Sequence, residues 1–312
     1  MSDIVITEFM EEGALRGLQA DFDTLYRPDL WNKPDEIARH LSAARALIVR
    51  NRTQVTDTVL AAAPRLKVVG RLGVGLDNID VQAAHARGIA VCPATGGNTV
   101  SVAEYVIAAA LVLLRGAFFA NAAMLAGDWP REQLMGREAS GRCMGLVGFG
   151  TIGQAVAARA RALGMTAIAC DVLLPASDPV WQQADGGARS LDQVLAEADV
   201  VSLHVPLTPV TRGLIGSAAL ERMKPGAVLI NTARGGVVDE DALAAALKSG
   251  HLGGAALDVF EAEPLTLAAA ARFRNVPNLI LTPHIAGPTQ DSNARVSAIT
   301  AHNVRRLLGE SR

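Results

Sequence analysis

An α/β fold of two doubly wound parallel-sheet domains is the class this sequence predicts, and three observations predict it. Short apolar segments that read as buried strands alternate with helical ones along nearly the whole chain. A seam marked by proline and glycine interrupts the alternation once, after which it starts again. The length, 312 residues, exceeds what one core ordinarily holds, so two domains are expected.

Before the seam, "DIVIT" (Asp3 to Thr7), "ALIVR" (Ala46 to Arg50), "LKVVG" (Leu66 to Gly70) and "IAVC" (Ile89 to Cys92) read as short buried strands. Helical stretches such as "PDEIARHLSAA" and "VQAAHARG" separate them, which argues a parallel sheet. At the seam, Pro93, Gly96 and Gly97 break the chain, and "NTVSVAEY" opens a long helix with capping residues. That helix is apolar nearly all round. It reads equally as a core helix and as a helix shared with a second copy of the chain. Six strand-like segments follow, at 144–149, 166–170, 199–205, 227–231, 254–259 and 279–282, separated by helices as in a doubly wound sheet. "DSNARVSAITAHNVRRLLG" forms a last helix.

Half of the residues are hydrophobic and 19% are charged, a globular composition. A net charge of −2 gives no reason to expect a nucleic-acid partner. The three cysteines, Cys92, Cys143 and Cys170, form no Cys-x-x-Cys pair, which fits a reducing cytosol; no metal is expected. The acidic start lacks the basic segment of a signal peptide. The longest apolar run, Val106 to Leu114, is too short to cross a bilayer, so a cytoplasmic location and no membrane are expected.

"GLVGFGTIGQAVAARARALGMTAIACD" carries a glycine pattern at Gly148, Gly150 and Gly153. The pattern alone is weak. Here a strand precedes it, a helix and a second strand follow, and Asp171 closes the unit. The first glycine allows a tight turn, the second lets backbone approach a pyrophosphate, and the third lets helix and strand pack closely. The helix N-terminus offers N–H groups and a positive dipole end to phosphates. Asp171 can accept from ribose hydroxyls and would repel a 2′-phosphate, so the expected cofactor is NAD rather than NADP.

"VLINTARGGVVDE" poses a separate question. An apolar strand runs into Arg234, and a buried guanidinium is costly unless something anionic meets it.

Four stretches together resemble the D-isomer-specific 2-hydroxyacid dehydrogenase family: the glycine loop, "INTARGGVVDEDAL", "GGAALDVFEAEP" and "LTPHIAG". "GRLGVGLDNID" extends the likeness into the first domain. Within the family the pattern is most similar to short-type D-3-phosphoglycerate dehydrogenases, so serine feedback through an appended regulatory domain is not expected. The resemblance implies a flavodoxin-like substrate domain (1–97 with 286–312) and a Rossmann NAD domain (98–285), with a cleft between them. It also implies a homodimer through the helix near 99–115.

The family's catalytic roles map onto Arg234, Glu263 and His284. The chemistry agrees: a planar guanidinium meets the carboxylate and carbonyl of a 2-keto acid. A histidine exchanges a proton with the carbonyl or hydroxyl oxygen, and a glutamate fixes its tautomer. Singly, each has a bland reading: Arg234 paired with Asp239, Glu263 an exposed charge, His284 structural. Together, at the ends of successive sheet segments, they favour catalysis. The resemblance also implies that Asp258 bonds the nicotinamide carboxamide. Thr232 and Ala233 line the same pocket, and Thr151 and Ile152 offer backbone to the pyrophosphate. His204 matches a family histidine near the adenosine, where a structural role is an equal alternative. In the first domain the turn at Gly73, Val74 and Gly75 can form an anion nest for the substrate carboxylate. Arg50 is expected to face the substrate's distal anion, with Arg52 and Arg71 as weaker candidates.

The chain departs from many relatives after "PHIAG", where it reads Pro288, Thr289, Gln290, Asp291, Ser292, Asn293. "SNARVS" is similar to sulfolactate dehydrogenases of the same family. The expected activity is therefore NAD-dependent interconversion of a small anionic D-2-hydroxy acid and its keto acid, leaning to 3-phosphoglycerate. Sulfolactate dehydrogenase and hydroxypyruvate or glyoxylate reductase remain alternatives. An NAD-sensing corepressor-like binding protein is the rival from another class.

Overall fold

A computed structural model describes residues 2–309. The chain divides into two compact units, one running to Asn98 and resuming at Pro288, the other Thr99–Gly287.

The first unit contains β1 (Ile4–Ile6), β2 (Thr24–Tyr26), β3 (Ala46–Val49), β4 (Val68–Arg71) and β5 (Ala90–Pro93). They form one parallel sheet in the order β2-β1-β3-β4-β5, the flavodoxin-like order. β1, β3 and β4 are buried throughout, as strands covered on both faces must be. β2 is an addition to the four strands read from sequence. It has only three residues, all half-buried at the sheet edge, and so carries no apolar run. One face of the sheet is covered by helix Glu12–Asp21 and the chain's last helix, Gln290–Leu308. Gly70 permits that close packing: a Cβ there would stand 2.7 Å from Val304 Cγ2 and 3.0 Å from Thr300 Cγ2.

The second unit contains β6 (Cys143–Val147), β7 (Thr166–Cys170), β8 (Val200–Leu203), β9 (Val228–Asn231), β10 (Gly254–Leu257) and β11 (Leu279–Leu281). All pair in parallel, in the order β11-β10-β9-β8-β6-β7. A single parallel bridge, Ala169 to Ala188, adds a vestigial strand beyond β7. With that bridge the order is the doubly wound dinucleotide-binding one, extended by β11. The six strands read from sequence are these six.

Helix Thr99–Arg115 buries Val102, Ala103, Val106, Ala109, Ala110, Leu113 and Leu114 in the core of its own unit. The core reading of this helix therefore accounts for most of its apolar surface. What stays exposed is Val100 and Ala108 and, just beyond the helix, Phe118, Phe119, Met124, Leu125 (90%), Trp129 (76%) and Met135, with Ile107, Leu111 and Val112 half-buried. Among the described residues no helix is long and apolar enough to cross a membrane.

Candidate active site

Parallel strands in register end together, so the residue after each strand joins one row. Val147, Cys170, Leu203, Asn231, Leu257 and Leu281 are paired across the second sheet. The next residues along the chain are Gly148, Asp171, His204, Thr232, Asp258 and Thr282. In spatial order the row reads Asp171, Gly148, His204, Thr232, Asp258, Thr282, at roughly 4.8 Å per strand. Most of the candidate residues of this unit lie in that row or within a few positions of it, outside the carboxyl ends where such sheets bind ligands.

At the glycine turn, Gly148 has φ 93°, and a Cβ on it would stand 2.6 Å from the His204 carbonyl. A Cβ on Gly153 would meet the Gly148 carbonyl at 2.5 Å. Around Gly150 a Cβ would meet nothing within 4 Å, so this face of the turn is open. Helix Thr151–Ala162 starts there with no side-chain cap, and its first internal bond runs from the Gln154 N–H to the Gly150 carbonyl (3.0 Å). The N–H groups of Thr151, Ile152 and Gly153 consequently have no acceptor within the described chain. Asp171 is pinned: Oδ2 accepts from the Phe149 N–H and Oδ1 from the Leu173 N–H, both at 2.8 Å.

Two buried polar atoms along the row lack partners, His204 Nε2 and Thr232 Oγ1. Burial pushes the His204 pKa down to about 4, so the ring is neutral. An open turn, uncapped N–H groups, a fixed carboxylate and two unsatisfied atoms are what an extended phosphate-bearing ligand requires. These residues fit NAD, which when bound supplies the hydride chemistry.

Around β9 to β11 the sequence triad converges. Nδ1 of His284 donates to Glu263 Oε2 at 2.8 Å, and the other carboxylate oxygen, Oε1, accepts from the Phe260 N–H at 3.0 Å. This fixes the tautomer and leaves Nε2 as the ring nitrogen not engaged by Glu263. The bond to Glu263 raises the His284 pKa above its usual value, against burial; the charges of Glu263 and Asp258 add to the rise and Arg234 opposes it. Burial pushes the Glu263 carboxyl up, but bonds from His284 and Phe260 and the charges of His284 and Arg234 outweigh it, leaving it below its usual value. Arg234 therefore lies close enough to act on both partners.

Local structure explains how Arg234 reaches them. Asn231, the last residue of β9, accepts from the Ala233 N–H and donates to the Arg234 carbonyl, both at 3.0 Å. Arg234 Nη1 donates to the Ala233 carbonyl at 2.6 Å. Gly235 abuts the Phe260 carbonyl so closely that no Cβ fits, and Gly236 takes φ 76°. The two glycines after the arginine thus bring its loop against the loop that carries Glu263. Asp239 is a helix cap, accepting from the N–H groups of Asp241 and Ala242.

Asp258 has a larger structural task than the sequence reading gave it. It is 1% exposed, and its carboxylate accepts from Thr282 Oγ1 (2.6 Å), the Ile285 N–H (2.8 Å) and the Ala286 N–H (2.9 Å). At most about one acceptor position remains for a carboxamide. Those bonds, with the His284 N–H donating to the Asp258 carbonyl (2.8 Å), hold His284 at φ 54°. Tyr105 and Thr282 extend the network through a 2.6 Å bond between their hydroxyls. The sequence reading noted Asn231 and the two glycines after Arg234 without giving them a role, and gave Thr282 and Tyr105 none.

In the first unit, Arg50 directly follows β3, and its Nη2 donates to Asn293 Oδ1 at 2.7 Å. Arg52 lies over the Trp31 ring, 4.8 Å from its centroid. Arg71 is buried and donates through Nη1 to the Leu72 carbonyl. The Gly73 N–H is taken by the Arg71 carbonyl, whereas no bond within the described chain takes those of Val74 and Gly75. That leaves two adjacent donors for an anion.

Comparison with known proteins gives the family. Residues 107–286 match the family model described as D-isomer specific 2-hydroxyacid dehydrogenase, NAD binding domain. The (S)-sulfolactate dehydrogenase of Chromohalobacter salexigens is 55% identical over 312 residues, 99% of each chain. The D-3-phosphoglycerate dehydrogenase of Archaeoglobus fulgidus is 41% identical over 86% of this chain, which spans only half the length of that enzyme. The structure of D-lactate dehydrogenase from Aquifex aeolicus with NAD and lactic acid superposes with TM-score 0.81 at 30% identity, covering 98% of this chain and 95% of the other.

The position of Asp171 makes cofactor choice testable. Asp171→Ala should weaken NAD binding several-fold and narrow the preference for NAD over NADP, read as dissociation constants from cofactor fluorescence. An unaltered preference would detach Asp171 from the ribose. An acidic residue follows β7, a bare helix start follows β6, and a histidine pairs with a glutamate beside an arginine. The chain belongs to the D-isomer-specific 2-hydroxyacid dehydrogenase family and is an NAD-dependent D-2-hydroxyacid dehydrogenase.

Proposed function

We propose that this dehydrogenase interconverts sulfolactate and its 2-keto acid, with Arg234, Glu263 and His284 as the catalytic set and Arg50 receiving the sulfonate. The observation that carries the reading is the end-to-end likeness to a sulfolactate dehydrogenase, 55% identical with 99% of both chains covered. The sequence alone leaned to 3-phosphoglycerate, but the Archaeoglobus enzyme of that name is 41% identical and matches over half its own length.

Charge supports the same choice. A sulfonate is a monoanion, whereas a phosphate ester carries about −1.5 to −2 near neutral pH. Of the two arginines in the loop after β3, Arg52 lies over the Trp31 ring, and Arg50, held by the neutral Asn293, is the one assigned to the distal group. One guanidinium matches one negative charge.

Configuration raises no conflict. In lactate the carboxylate outranks the methyl group. In sulfolactate the sulfur-bearing carbon outranks the carboxylate, so the same spatial arrangement changes its label from R to S. An (S)-sulfolactate therefore presents its hydrogen and hydroxyl as a D-lactate does.

In this reading Arg234 holds the carboxylate. His284 Nε2 takes the hydroxyl proton during oxidation and returns it during reduction, while Glu263 stabilises the imidazolium. The test is kcat/KM with NAD for (S)-sulfolactate, D-3-phosphoglycerate, D-glycerate and D-lactate. Sulfolactate should lead by about 10²-fold or more, since the other acids leave Arg50 unmatched or overcharged. A preference for 3-phosphoglycerate would replace the sulfonate with a phosphate. NAD binding without oxidation of any acid would favour the corepressor-like reading.

A further inference from the structure

The loop after β3 is anchored more heavily than a surface loop needs. Glu8, buried just past β1, places its carboxylate inside the loop. Oε1 accepts from the N–H groups of Arg50 (2.8 Å) and Thr53 (2.9 Å), and Oε2 from that of Arg52 (3.1 Å), with a longer bond from Asn51 (3.3 Å). Asn78 Nδ2 donates to the Thr53 carbonyl at 2.7 Å, and the Thr7 and Thr53 hydroxyls meet at 2.7 Å. β1 and β3 flank the point where strand order reverses, the place where such a sheet offers backbone N–H groups to an anion. Here the chain supplies that anion itself. A ligand's anion must therefore be met by side chain, and the backbone of Arg50 is rigidly set for it.

The guanidinium is held by a neutral group. Its partner is Asn293 Oδ1, and among the described residues no carboxylate pairs with it. Burial pushes the Arg50 pKa down, opposed by the charge of Glu8, whose oxygens are already committed to backbone. A half-buried cation held by an amide keeps its charge for something else. Asn293 is fixed in turn. It follows Ser292, which forms a reciprocal capping box with Thr289 (Thr289 N–H to Ser292 Oγ 2.8 Å, Ser292 N–H to Thr289 Oγ1 3.0 Å). These residues belong to the segment after "PHIAG" that the sequence reading set apart.

We propose that Asn293 is a specificity-determining residue, which orients Arg50 through a neutral acceptor and so reserves its charge for the second anionic group of the substrate. This rests on the reading of Arg50 as the distal-anion group, and the experiment separates the two. Asn293→Asp keeps size and hydrogen bond but adds a charge that pairs with Arg50. Asn293→Ala removes the anchor and adds no charge. The measurement is the ratio of kcat/KM for sulfolactate to that for the better of D-glycerate and D-lactate, with KM and kcat resolved.

In Asn293→Asp the ratio should fall by about tenfold or more, mainly through KM, and further than in Asn293→Ala. A role confined to folding predicts the reverse order, because aspartate is the closer mimic, and an equal loss on both acids. An Asp variant that keeps the wild-type ratio, loses both acids alike, or falls less than the Ala variant overturns the proposal. Arg50→Gln reports on the underlying reading: its ratio should fall as well, and an unchanged ratio there removes Arg50 from the distal site and the proposal with it. A wild type that oxidises no acid with a second anion also overturns both.

Discussion

Replacing His284 by alanine should lower turnover by about 10²–10⁴-fold while leaving NAD affinity nearly intact, because the variant loses proton transfer and keeps every group along the glycine turn. The pH dependence identifies the proton. Oxidation needs neutral imidazole, and reduction needs imidazolium. Glu263 holds the His284 pKa above its usual value, so oxidation should rise, and reduction fall, as pH passes through that raised value. Glu263→Gln removes the cause of the rise, so both profiles should move to lower pH, with turnover reduced but not abolished. His284→Ala should erase the inflection altogether. Steady-state rates in both directions across pH, with NAD titrated by fluorescence, provide the check. An alanine variant that keeps wild-type turnover, or profiles that stay in place in Glu263→Gln, would take the pair out of the mechanism.

What residue order reveals here depends on the range of the interaction. Strands covered on both faces are continuous apolar runs, so β1, β3, β4 and β6 to β10 are recognisable from short stretches, and the less buried β5 and β11 keep enough apolar residues to be read as well. Their ends are marked by glycines or by polar residues in apolar surroundings, and register then carries those ends into one row. Gly148 and Asp171 stand in that row, and Arg234 and His284, singled out through the family resemblance, lie two residues past it. β2 and the bridge at Ala188 were missed because three half-buried residues, or one, have no periodicity to detect. Partners distant in sequence leave no trace. Asn293 and Arg50 lie 243 positions apart, and nothing near either announces the other. Glu8 did offer a clue, an acid directly after an apolar strand, but the loop it would fill lies beyond the next strand and helix. The segment from Pro288 to Asn293 stood out as a departure; only the capping box and the bond to Arg50 supply its physical content. Asp258 shows the converse. Resemblance pointed it toward the cofactor, while three hydrogen bonds commit most of it to the loop that holds His284.

Arg234→Lys should reduce kcat/KM by about 10²-fold or more, although charge is conserved. In the proposed mechanism the guanidinium reads a carboxylate and its neighbouring carbonyl with donors fixed in a plane, and the carbonyl oxygen gains negative charge as reduction proceeds. An ammonium is a point charge with rotating donors and cannot hold both oxygens in one geometry. The surroundings also favour the fork. Asn231 ties the backbone at Ala233 and Arg234, Nη1 rests on the Ala233 carbonyl, and Gly235 presses the loop against Phe260. Lysine would inherit the rigid backbone without the planar head it positions. Its charge would still act on Glu263 and His284, so the pH profile should keep its shape while the rate falls. That combination distinguishes loss of substrate geometry from disturbance of the proton carrier. The decisive measurement is the profile of kcat/KM against pH in the lysine variant. A rate close to wild type would show that charge alone suffices. A low rate with a displaced inflection would mean that Arg234 acts mainly by setting the histidine, not by holding the acid.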